Sequence, residues 1–596
     1  MLTMGSDLNY QQAEKNFANL DKLIRYLNRL YRNQLYVFYS TPSCYLNAVN
    51  EAKIEMPSKA DDFFPYASKQ NEYWAGYFTS RPTLKRFERI GNNFLQVGKQ
   101  ILAMANSPLS LDISRAKEAM GVMQHHDAIT GTSREYVAHD YARLLTNALE
   151  KVMQASSKAL NTLVRAPYQP VREPEFQSCF LLNISTCHMT EDVQSFVVTV
   201  YNPLSRNVNK LVRLPISSTQ LSWIVHGPED ENLPVQMVPI PDFLFYIPGR
   251  RLVETVEIVF IAENLPPLGY KSYYVESSNT ENENFFRSKL VNVNENNISV
   301  GYNNGIMVTI DQNGKIDSIK TKGAAKETPF TQEFAYYHGA NQPEEFQVNK
   351  QSWSGAYIFR PTGTAVTVTD QPKTTIVQGP IVTEIQQTIS SWINQVIRLL
   401  NGADYVEFQW TVGPIPFKHE KNGKEVITRY KIPTLKNGGV FYTDSNGREM
   451  IRRNLQRWSV DVTEPIPGNY YPVTTRINIK DTEDPTKSLT VVTDRSEGGT
   501  SLEDGTIELM LHRRLKLDDR KGVDQPLDEM AFDQPLVAVG SHYISLEPSH
   551  KTTLLNQEKV LDAWIFISPA NGVSYDQWKT YYLMEVSINL SSQKRS

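Results

Sequence analysis

The hydrophobic period of the sequence changes near residue 165, and this change limits the folds that the chain can adopt. From about residue 80 to this point, apolar residues recur at the spacing of an amphipathic helix. After it, short apolar or alternating runs are separated by turns rich in Gly, Pro, Asn and Asp, which is typical of strands. The clearest of these runs are 196–201, 366–368, 406–410 and 489–492. The sequence therefore predicts a helical region followed by all-β sandwich domains.

The helical region is predicted to form a three-helix bundle. A short second helix is expected over about 112–124, and a third begins at 132–135, where Thr132 and Glu135 have the spacing of a capping box. The first helix starts near Pro82, where the missing N–H of proline does no harm. Its apolar stripe consists of Leu84, Phe87, Ile90, Phe94, Val97, Ile101 and Met104. Three helices with short connections pack as a bundle.

The first residues are predicted to be a remnant of an α/β barrel. Residues 1–4 have the character of a strand, an amphipathic helix follows over 17–31, and 36–39 are apolar enough for a second strand. A chain does not naturally begin on a buried strand, so we expect Met1 to lie inside a larger domain whose earlier strands are absent from this sequence.

Length and composition set the class of protein. With 596 residues the chain is too long for one hydrophobic core, and 40% hydrophobic and 21% charged residues are ordinary globular values. We expect a multidomain α+β chain with a barrel remnant at 1–75, the bundle at 76–165, a small β-sandwich at 166–280 and a large, truncated one at 281–596. A net charge of −4 without clustered Lys and Arg argues against a nucleic-acid partner.

Signals for the compartment are mixed. No stretch reaches the roughly 18 apolar residues that span a bilayer, and the first ten residues lack the features of a signal peptide. Three Asn-x-Ser sequons nevertheless occur, at Asn183, Asn297 and Asn589. Cys179 and Cys187 are close enough to close a short disulfide loop, which together with the sequons favours the secretory pathway.

The densest group of catalytic residue types is His125, His126 and Asp127, where the second bundle helix ends. Imidazole and carboxylate are ligands that zinc accepts, and adjacent side chains can point in different directions, so that one His faces a metal while Asp127 binds substrate hydroxyls. The spacing matches no self-sufficient metal motif. Hydrogen-bonded packing or helix capping is the alternative from local sequence alone.

Six blocks of sequence stand out along the chain: DDFFPYA (61–67), NEYWAGYFTSRPTLKRFER (71–89), QHHDAITGTSREYVAHDYARLL (124–145), FYTDSNGRE (441–449), GNYYPV (468–473) and VVTDRSEGGTSLEDGTIELMLHRRL (491–515). In this order they resemble glycoside hydrolase family 38 of the lysosomal α-mannosidase type. The resemblance covers essentially the whole chain. It implies a catalytic α/β barrel, a three-helix bundle and β-sandwich domains.

The resemblance implies retaining hydrolysis of terminal α-linked mannose from N-glycans, with one zinc ion that grips the sugar and with placement in the lysosome or the secretory pathway. Retaining hydrolysis needs two carboxylates, one as nucleophile and one as acid/base. By motif matching, Asp7 corresponds to the acid/base, His126 to a zinc ligand, His125 to a residue behind that ligand, and Asp127, Tyr357 and Arg520 to substrate-binding residues. Locally, Asp7 also suits a turn or helix cap, and Tyr357 and Arg520 suit packing and surface positions.

The nucleophile and the other zinc ligands that the resemblance implies have no match in this sequence, and Cys44 has no evident partner. We therefore expect a fragment whose missing ligands lie in an absent N-terminal part, active only if that part is supplied by another chain, with a homodimer as a further arrangement. Alternatives are a non-catalytic carbohydrate-binding protein or pseudoenzyme, and a sequence lacking coding regions upstream of Met1. A barrel remnant on its own is also expected to expose strand edges and aggregate.

Overall fold

The computed structural model describes residues 5, 7–59, 62–107, 111–165, 174–217, 219–250, 254–293, 296–340, 353–369, 371–417, 420–455, 464–548, 551–570 and 572–586. The chain divides into two compact units, Met1–Phe63 and Phe64–Ser596. Both helices and many sheets are present, so the predicted multidomain α+β class is confirmed. No helix within the described ranges has the length and apolarity needed to cross a membrane.

The unit Met1–Phe63 contains a 3-10 helix, Asn9–Gln12, and two α-helices, α1 (Ala13–Leu30) and α2 (Pro42–Glu51). The predicted strand at 36–39 is wrong, since the described part of this unit forms no strand. The Asn28 side chain instead pairs the backbone of Val37, with Nδ2 donating to the carbonyl at 2.7 Å and Oδ1 accepting from the amide at 2.7 Å. The Asn28 side chain thus satisfies the backbone amide and carbonyl of Val37, which a neighbouring strand would otherwise do. The predicted strand at 1–4 lies outside the described residues.

Three helices form the predicted bundle: α3 (Pro82–Met104), α4 (Leu111–Met123) and α5 (Glu135–Val164). Pro82 occupies the first turn of α3, as expected. The helices α3 and α5 approach closely at two glycines of α3: a Cβ on Gly91 would lie 3.0 Å from Leu145, and one on Gly98 would lie 2.5 Å from Val152. The bundle core is therefore shaped by glycine as well as by the apolar stripe.

The remaining elements are strands and two short helices, α6 (Thr552–Val560) and α7 (Tyr575–Tyr581). In chain order the strands are β1 (Ser195–Asn202), β2 (Val208–Ile216), β3 (Ser222–His226), β4 (Val235–Pro239), β5 (Val256–Leu265), β6 (Gly269–Ser278), β7 (Phe285–Arg287), β8 (Lys289–Asn292), β9 (Ile298–Gly301), β10 (Met307–Ile310), β11 (Ile316–Lys320), β12 (Thr328–Pro329), β13 (Thr331–His338), β14 (Val366–Thr367), β15 (Lys373–Gln378), β16 (Val382–Ser390), β17 (Ile393–Leu400), β18 (Val406–Val412), β19 (Lys424–Lys431), β20 (Val440–Ser445), β21 (Glu449–Asn454), β22 (Tyr471–Val473), β23 (Arg476–Lys480), β24 (Ser488–Thr493), β25 (Glu497–Thr500), β26 (Thr506–Arg514), β27 (Met530–Ala531), β28 (Gln534–Pro535), β29 (Ala538–Ser545), β30 (Trp564–Pro569) and β31 (Glu585–Val586).

The smaller sandwich consists of two sheets. One has the order β3-β6-β1-β30, with β31 also on β6, and the other has the order β2-β5-β4-β7. Alternate side chains of both sheets fill the space between them, which is the expected arrangement for a sandwich. Phe196 and Val198 of β1 and Val212 and Leu214 of β2 belong to this core.

The larger sandwich packs a ten-stranded sheet against two smaller sheets. The ten-stranded order is β21-β20-β23-β24-β29-β18-β17-β16-β15-β8, the six-stranded order is β14-β13-β19-β26-β25-β22, and the four-stranded order is β12-β11-β10-β9. A separate apolar cluster joins Tyr337, Ile427 and Met510 of the six-stranded sheet to Ala75 and Phe78, which precede α3. This contact brings the start of the bundle onto the outer face of the large sandwich.

Near its end the chain returns to the smaller sandwich. Strand β30 pairs antiparallel with β1, with Ile567 opposite Val198. The domain boundaries predicted from the sequence had instead assigned all of 281–596 to the large sandwich. Trp564 of β30 stacks on Phe94 of α3, with ring centroids 4.7 Å apart. The β30 segment therefore completes both a sheet edge and the bundle core, a long-range pairing that local sequence patterns do not reveal.

Candidate functional site

The His-His-Asp sequence lies in the irregular turn between α4 and α5, and α3 holds this turn at both ends. Gln124 Nε2 donates to Glu88 Oε1 at 3.0 Å, and Lys85 Nζ donates to the carbonyl of Ile129 at 2.5 Å. Lys85 is only 3% exposed, and burial lowers its pKa to about 7. Two buried polar side chains of one helix thus fix the position of the turn.

The turn brings His125, His126 and Asp127 together. The Nε2 atoms of His125 and His126 lie 3.3 Å and 3.8 Å from Asp127 Oδ2, and their ring centroids are 4.3 Å apart. One potential ligand atom from each residue falls within 4.8 Å of the others. The three side chains are 44%, 85% and 32% exposed, so solvent and small molecules can reach them. Adjacent side chains were expected to diverge, but the non-helical turn makes them converge.

This donor set fits a metal ion. Two imidazole nitrogens and a carboxylate oxygen are ligands of catalytic zinc, which typically has three protein ligands and one open position. The described residues contain no other group of three such side chains within this distance. Ligands for an ion could therefore come from this group of side chains, His126 among them.

The second oxygen of Asp127 faces the large sandwich. Asp127 Oδ1 accepts a hydrogen bond from Thr132 Oγ1 at 2.9 Å and another from the Tyr357 hydroxyl at 3.2 Å. Burial is the main reason that the pKa of Tyr357 is raised, so the hydroxyl keeps its proton and remains a donor. The structure thus brings together Asp127 and Tyr357, which lie 230 positions apart.

The predicted capping box at the start of α5 is wrong. The cap residue is Arg134, without a side-chain cap bond, and the Thr132 hydroxyl is used by Asp127. Glu135 Oε1 accepts from the backbone amide of Met530 at 2.8 Å instead of turning back to the helix. Thr132 and Glu135 thus bond to Asp127 and to the backbone of Met530 instead of capping α5.

Two residues of the six-stranded region hold the turn that carries Tyr357. Asp519 Oδ2 accepts from the backbone amides of Tyr357 at 2.7 Å and Ile358 at 2.9 Å. Arg513 donates from Nη1 to the carbonyl of Gly355 at 2.9 Å and from Nη2 to that of Ile358 at 2.7 Å. A Cβ on Gly355 would lie 2.5 Å from Asp519 Cγ, so glycine permits this close approach.

Sequence reasoning selected Arg520 and missed its neighbour Asp519. The Arg520 guanidinium packs over the ring of Trp353 at 4.6 Å, and its side chain is exposed. Asp519 makes the contacts with the Tyr357 turn, and Trp74 packs edge-on against the Tyr357 ring with centroids 5.0 Å apart. Trp74 lies within the block 71–89 and Asp519 stands next to Arg520, but no local pattern marks either residue, because their role depends on contacts across more than 150 positions of the chain.

Asp7 belongs to the unit Met1–Phe63. It is exposed and lies in the turn that precedes the 3-10 helix Asn9–Gln12, whose cap residue is Leu8. Its assignment as the acid/base therefore stays a prediction.

The cysteine prediction is confirmed and the sequons differ from one another. Cys179 and Cys187 form a disulfide, and Cys44 is a free, exposed thiol. Asn297 is exposed, whereas Asn183 is half-buried and its Oδ1 is enclosed without a hydrogen-bond partner. Asn589 lies outside the described residues. Glycosylation of all three stays a prediction.

Comparison with known proteins agrees with this arrangement. Three family models match: the N-terminal domain of glycosyl hydrolases family 38 over 1–69, the alpha mannosidase middle domain over 72–163, and the C-terminal domain of glycosyl hydrolases family 38 over 302–521. The three matched segments follow one another along the chain without overlap.

Curated relatives include the lysosomal alpha-mannosidases of Mus musculus and Homo sapiens. Each is 38% identical to this chain, and the alignments cover 96% and 97% of it and 56% of each relative. The chain thus spans about half the length of these relatives. Among solved structures, an alpha-mannosidase from Enterococcus faecalis V583 shares the fold with a TM-score of 0.63 at 16% identity, over 92% of this chain and 64% of that one. By its three matched domains and these relatives, the chain belongs to glycoside hydrolase family 38.

Proposed function

We propose that this chain is part of a zinc-assisted, retaining α-mannosidase that releases terminal α-linked mannose from N-glycans and their oligosaccharides. Membership of the family and the names of the relatives support the reaction class. The observation that carries the proposal is Asp127, with one carboxylate oxygen beside two imidazoles and the other bonded to Tyr357 and Thr132.

The residues divide the chemistry between them. His126 holds the metal, with His125 beside it, and the ion when bound supplies Lewis-acid contact to sugar hydroxyls. Asp127 accepts hydrogen bonds from those hydroxyls, and Tyr357, kept protonated by burial, holds Asp127 in place. Asp7 is assigned to donate a proton to the leaving oxygen and then to accept one from water, as the retaining mechanism requires. Arg520 is assigned to the outer part of the substrate site.

The alternative is carbohydrate binding without turnover by the chain alone. This alternative is motivated by the three clustered side chains of the described residues, which come from one short turn, whereas the family resemblance implies further zinc ligands from elsewhere. If a second chain instead supplies the nucleophile and those ligands, the two chains together would form an active enzyme. Placement in the lysosome or secretory pathway is supported by the relatives' names and by the disulfide.

The decisive experiment measures zinc content and hydrolysis of 4-nitrophenyl α-D-mannopyranoside at acidic pH. Asp127→Asn removes the negative charge and one acceptor oxygen of the side chain and is expected to lower turnover by at least about a hundredfold, and Tyr357→Phe by about tenfold. Asp140→Asn is the matched control, since Asp140 is exposed on α5 and pairs with Arg143.

Measurable turnover that is equal in Asp127→Asn and in the wild type would refute the assignment of this site. Zinc-dependent binding of mannoside without release of 4-nitrophenol would favour the binding-only alternative. Mannoside binding whose affinity and stoichiometry are the same in the zinc-loaded wild type and in Asp127→Asn with a chelator would exclude the His-His-Asp cluster as a sugar site.

A further inference from the structure

The interior of the large sandwich is interrupted by a row of polar side chains. On the facing sides of the sheets, one apolar cluster includes Ile385 and Ile397, and a second includes Ile389 and Ile393. Between them, on the same faces of β16 and β17, lie Gln387, Gln395 and, from the six-stranded sheet, Gln332 and Thr428. Gln387 and Gln395 are only 3% and 2% exposed. Buried amides are costly unless they are hydrogen-bonded, so this row needs a reason.

The amides hold one another in fixed positions. Gln332 and Gln395 exchange hydrogen bonds at 3.0 Å and 2.7 Å, which joins the two sheets. Gln332 also donates to Thr428 Oγ1 at 3.1 Å, and Gln395 donates to Gln387 Oε1 at 2.5 Å. Both N–H groups of Gln332 and Gln395 are thereby used, while each amide oxygen can accept one more hydrogen bond. The row presents preorganised acceptors.

A groove of about 460 Å³ opens above this row. This volume falls within the roughly 300–1,000 Å³ of pockets that hold small molecules. Its floor is formed by the glutamines, its sides include Phe334 and Ile389, and its rim carries the exposed Thr331 and Thr367. The groove combines an apolar wall with neutral polar groups.

Charged groups in the lining compensate each other. Arg429 pairs with Glu333 at 2.9 Å, and Lys431 pairs with Glu503 at 3.3 Å, which leaves Lys315 as the remaining cation. The lining therefore does not select a strongly charged ligand. Hydroxyl groups that donate to amide oxygens, on a ring with an apolar face, are the chemistry that this groove would recognise.

We propose that this groove is a second carbohydrate-binding site, which takes a neutral hexose unit and lies apart from the His125–Asp127 turn. A hexose bound there would attach an oligosaccharide to the large sandwich, whether or not the His125–Asp127 turn is catalytically active. A dry or water-filled interruption of the core is the competing explanation, because buried polar cavities commonly hold ordered water.

The test is calorimetric titration of the full chain with methyl α-D-mannopyranoside, with methyl β-D-galactopyranoside for hexose selectivity. To isolate the groove, the titration uses the Asp127→Asn variant with a chelator present, which disables the first site. Saturable binding is expected to remain, and a further Thr331→Trp change at the rim is expected to weaken it by at least about tenfold.

Thr146→Trp, on the exposed face of α5, is the matched control and should leave the titration unchanged. Thr367→Trp provides a second rim variant if Thr331→Trp does not fold. Absence of binding in the Asp127→Asn background, or equal binding with a blocked rim, would overturn the proposal and leave ordered water as the occupant. Neither result would bear on hydrolysis at the first site.

Discussion

At the scale of single residues, the site depends on side chains that satisfy partners far away in the sequence. Both carboxylate oxygens of Asp127 have defined neighbours: Tyr357 and Thr132 donate hydrogen bonds to one, and the histidines lie beside the other. Tyr357 is in turn placed by Asp519 and Arg513 through the backbone. Sequence motifs singled out Asp127 and Tyr357 but not Asp519 and Arg513, which hold the Tyr357 turn.

Removal of the Asp519 carboxylate should weaken the site although Asp519 is not itself expected to touch sugar. In Asp519→Ala the amides of Tyr357 and Ile358 lose their acceptor, so the hydroxyl of Tyr357 shifts away from Asp127. We expect mannoside affinity to fall by about 10- to 100-fold, since small misplacements are costly. Calorimetry on the zinc-loaded protein measures this change.

Arg520→Ala is the comparison, because its guanidinium lies over Trp353 and not on the Tyr357 turn. A smaller loss than in Asp519→Ala is expected. The reverse order would show that Arg520 is the more important residue of this loop.

Lys85 should make stability depend on pH. Burial is the main reason that its folded-state pKa is lowered to about 7, with Arg513 adding repulsion and Glu529 and Glu88 opposing it. Between about pH 7 and the ordinary lysine pKa of 10.5, the unfolded chain keeps a proton that the folded chain has lost. Stability from this group therefore rises with pH across that window and is unchanged below it, by about 1.4 kcal/mol per unit.

Urea unfolding of the wild type and Lys85→Met at several pH values tests this expectation. The difference in free energy of unfolding, wild type minus variant, should increase from pH 7 to pH 10. A flat difference would mean that the folded protein keeps Lys85 charged throughout.

At the scale of secondary-structure elements, the bundle is set by a helical period that can be read from the sequence and by close contacts that cannot. The apolar stripe of α3 predicts the helix, but only the structure shows that Gly98 meets Val152 of α5. Gly121 in α4 has open space around its Cβ position. Two glycines in neighbouring helices thus have different roles.

Opposite effects are expected from alanine at these two positions. Gly98→Ala forces a methyl group against Val152 and should destabilise the protein by about 1–3 kcal/mol. Gly121→Ala removes the entropic cost of glycine in a helix and should stabilise it by about 0.5–1 kcal/mol. Thermal unfolding followed by circular dichroism measures both, and stabilisation by Gly98→Ala would contradict the close packing of α3 and α5.

At the scale of the whole molecule, the chain segment from Trp564 onward ties the bundle to the smaller sandwich. It pairs with β1 and stacks on α3, so its removal would leave a sheet edge unpaired and would take Trp564 and Phe566 away from Phe94. A single boundary between the sandwiches therefore does not describe the fold.

A chain that ends at residue 563 should be less stable than the full chain, whereas a chain that ends at residue 586 should be as stable as the full chain. The shorter chain loses both β30 and α7 and is expected to be digested rapidly by a nonspecific protease. The longer one keeps every described element and serves as the control. Equal resistance of the two chains would show that β30 adds little.

The sequence alone determined the bundle, the β-sandwich region, the disulfide and the family, because periods, turn residues and motif blocks are local or ordered along the chain. It also singled out His126, Asp127 and Tyr357. The meeting of Asp127 with Tyr357, the support from Asp519 and Arg513, the false capping box and the return of β30 were decided by tertiary structure. Each depends on hydrogen bonds or packing between residues far apart in the chain, for which no local pattern exists.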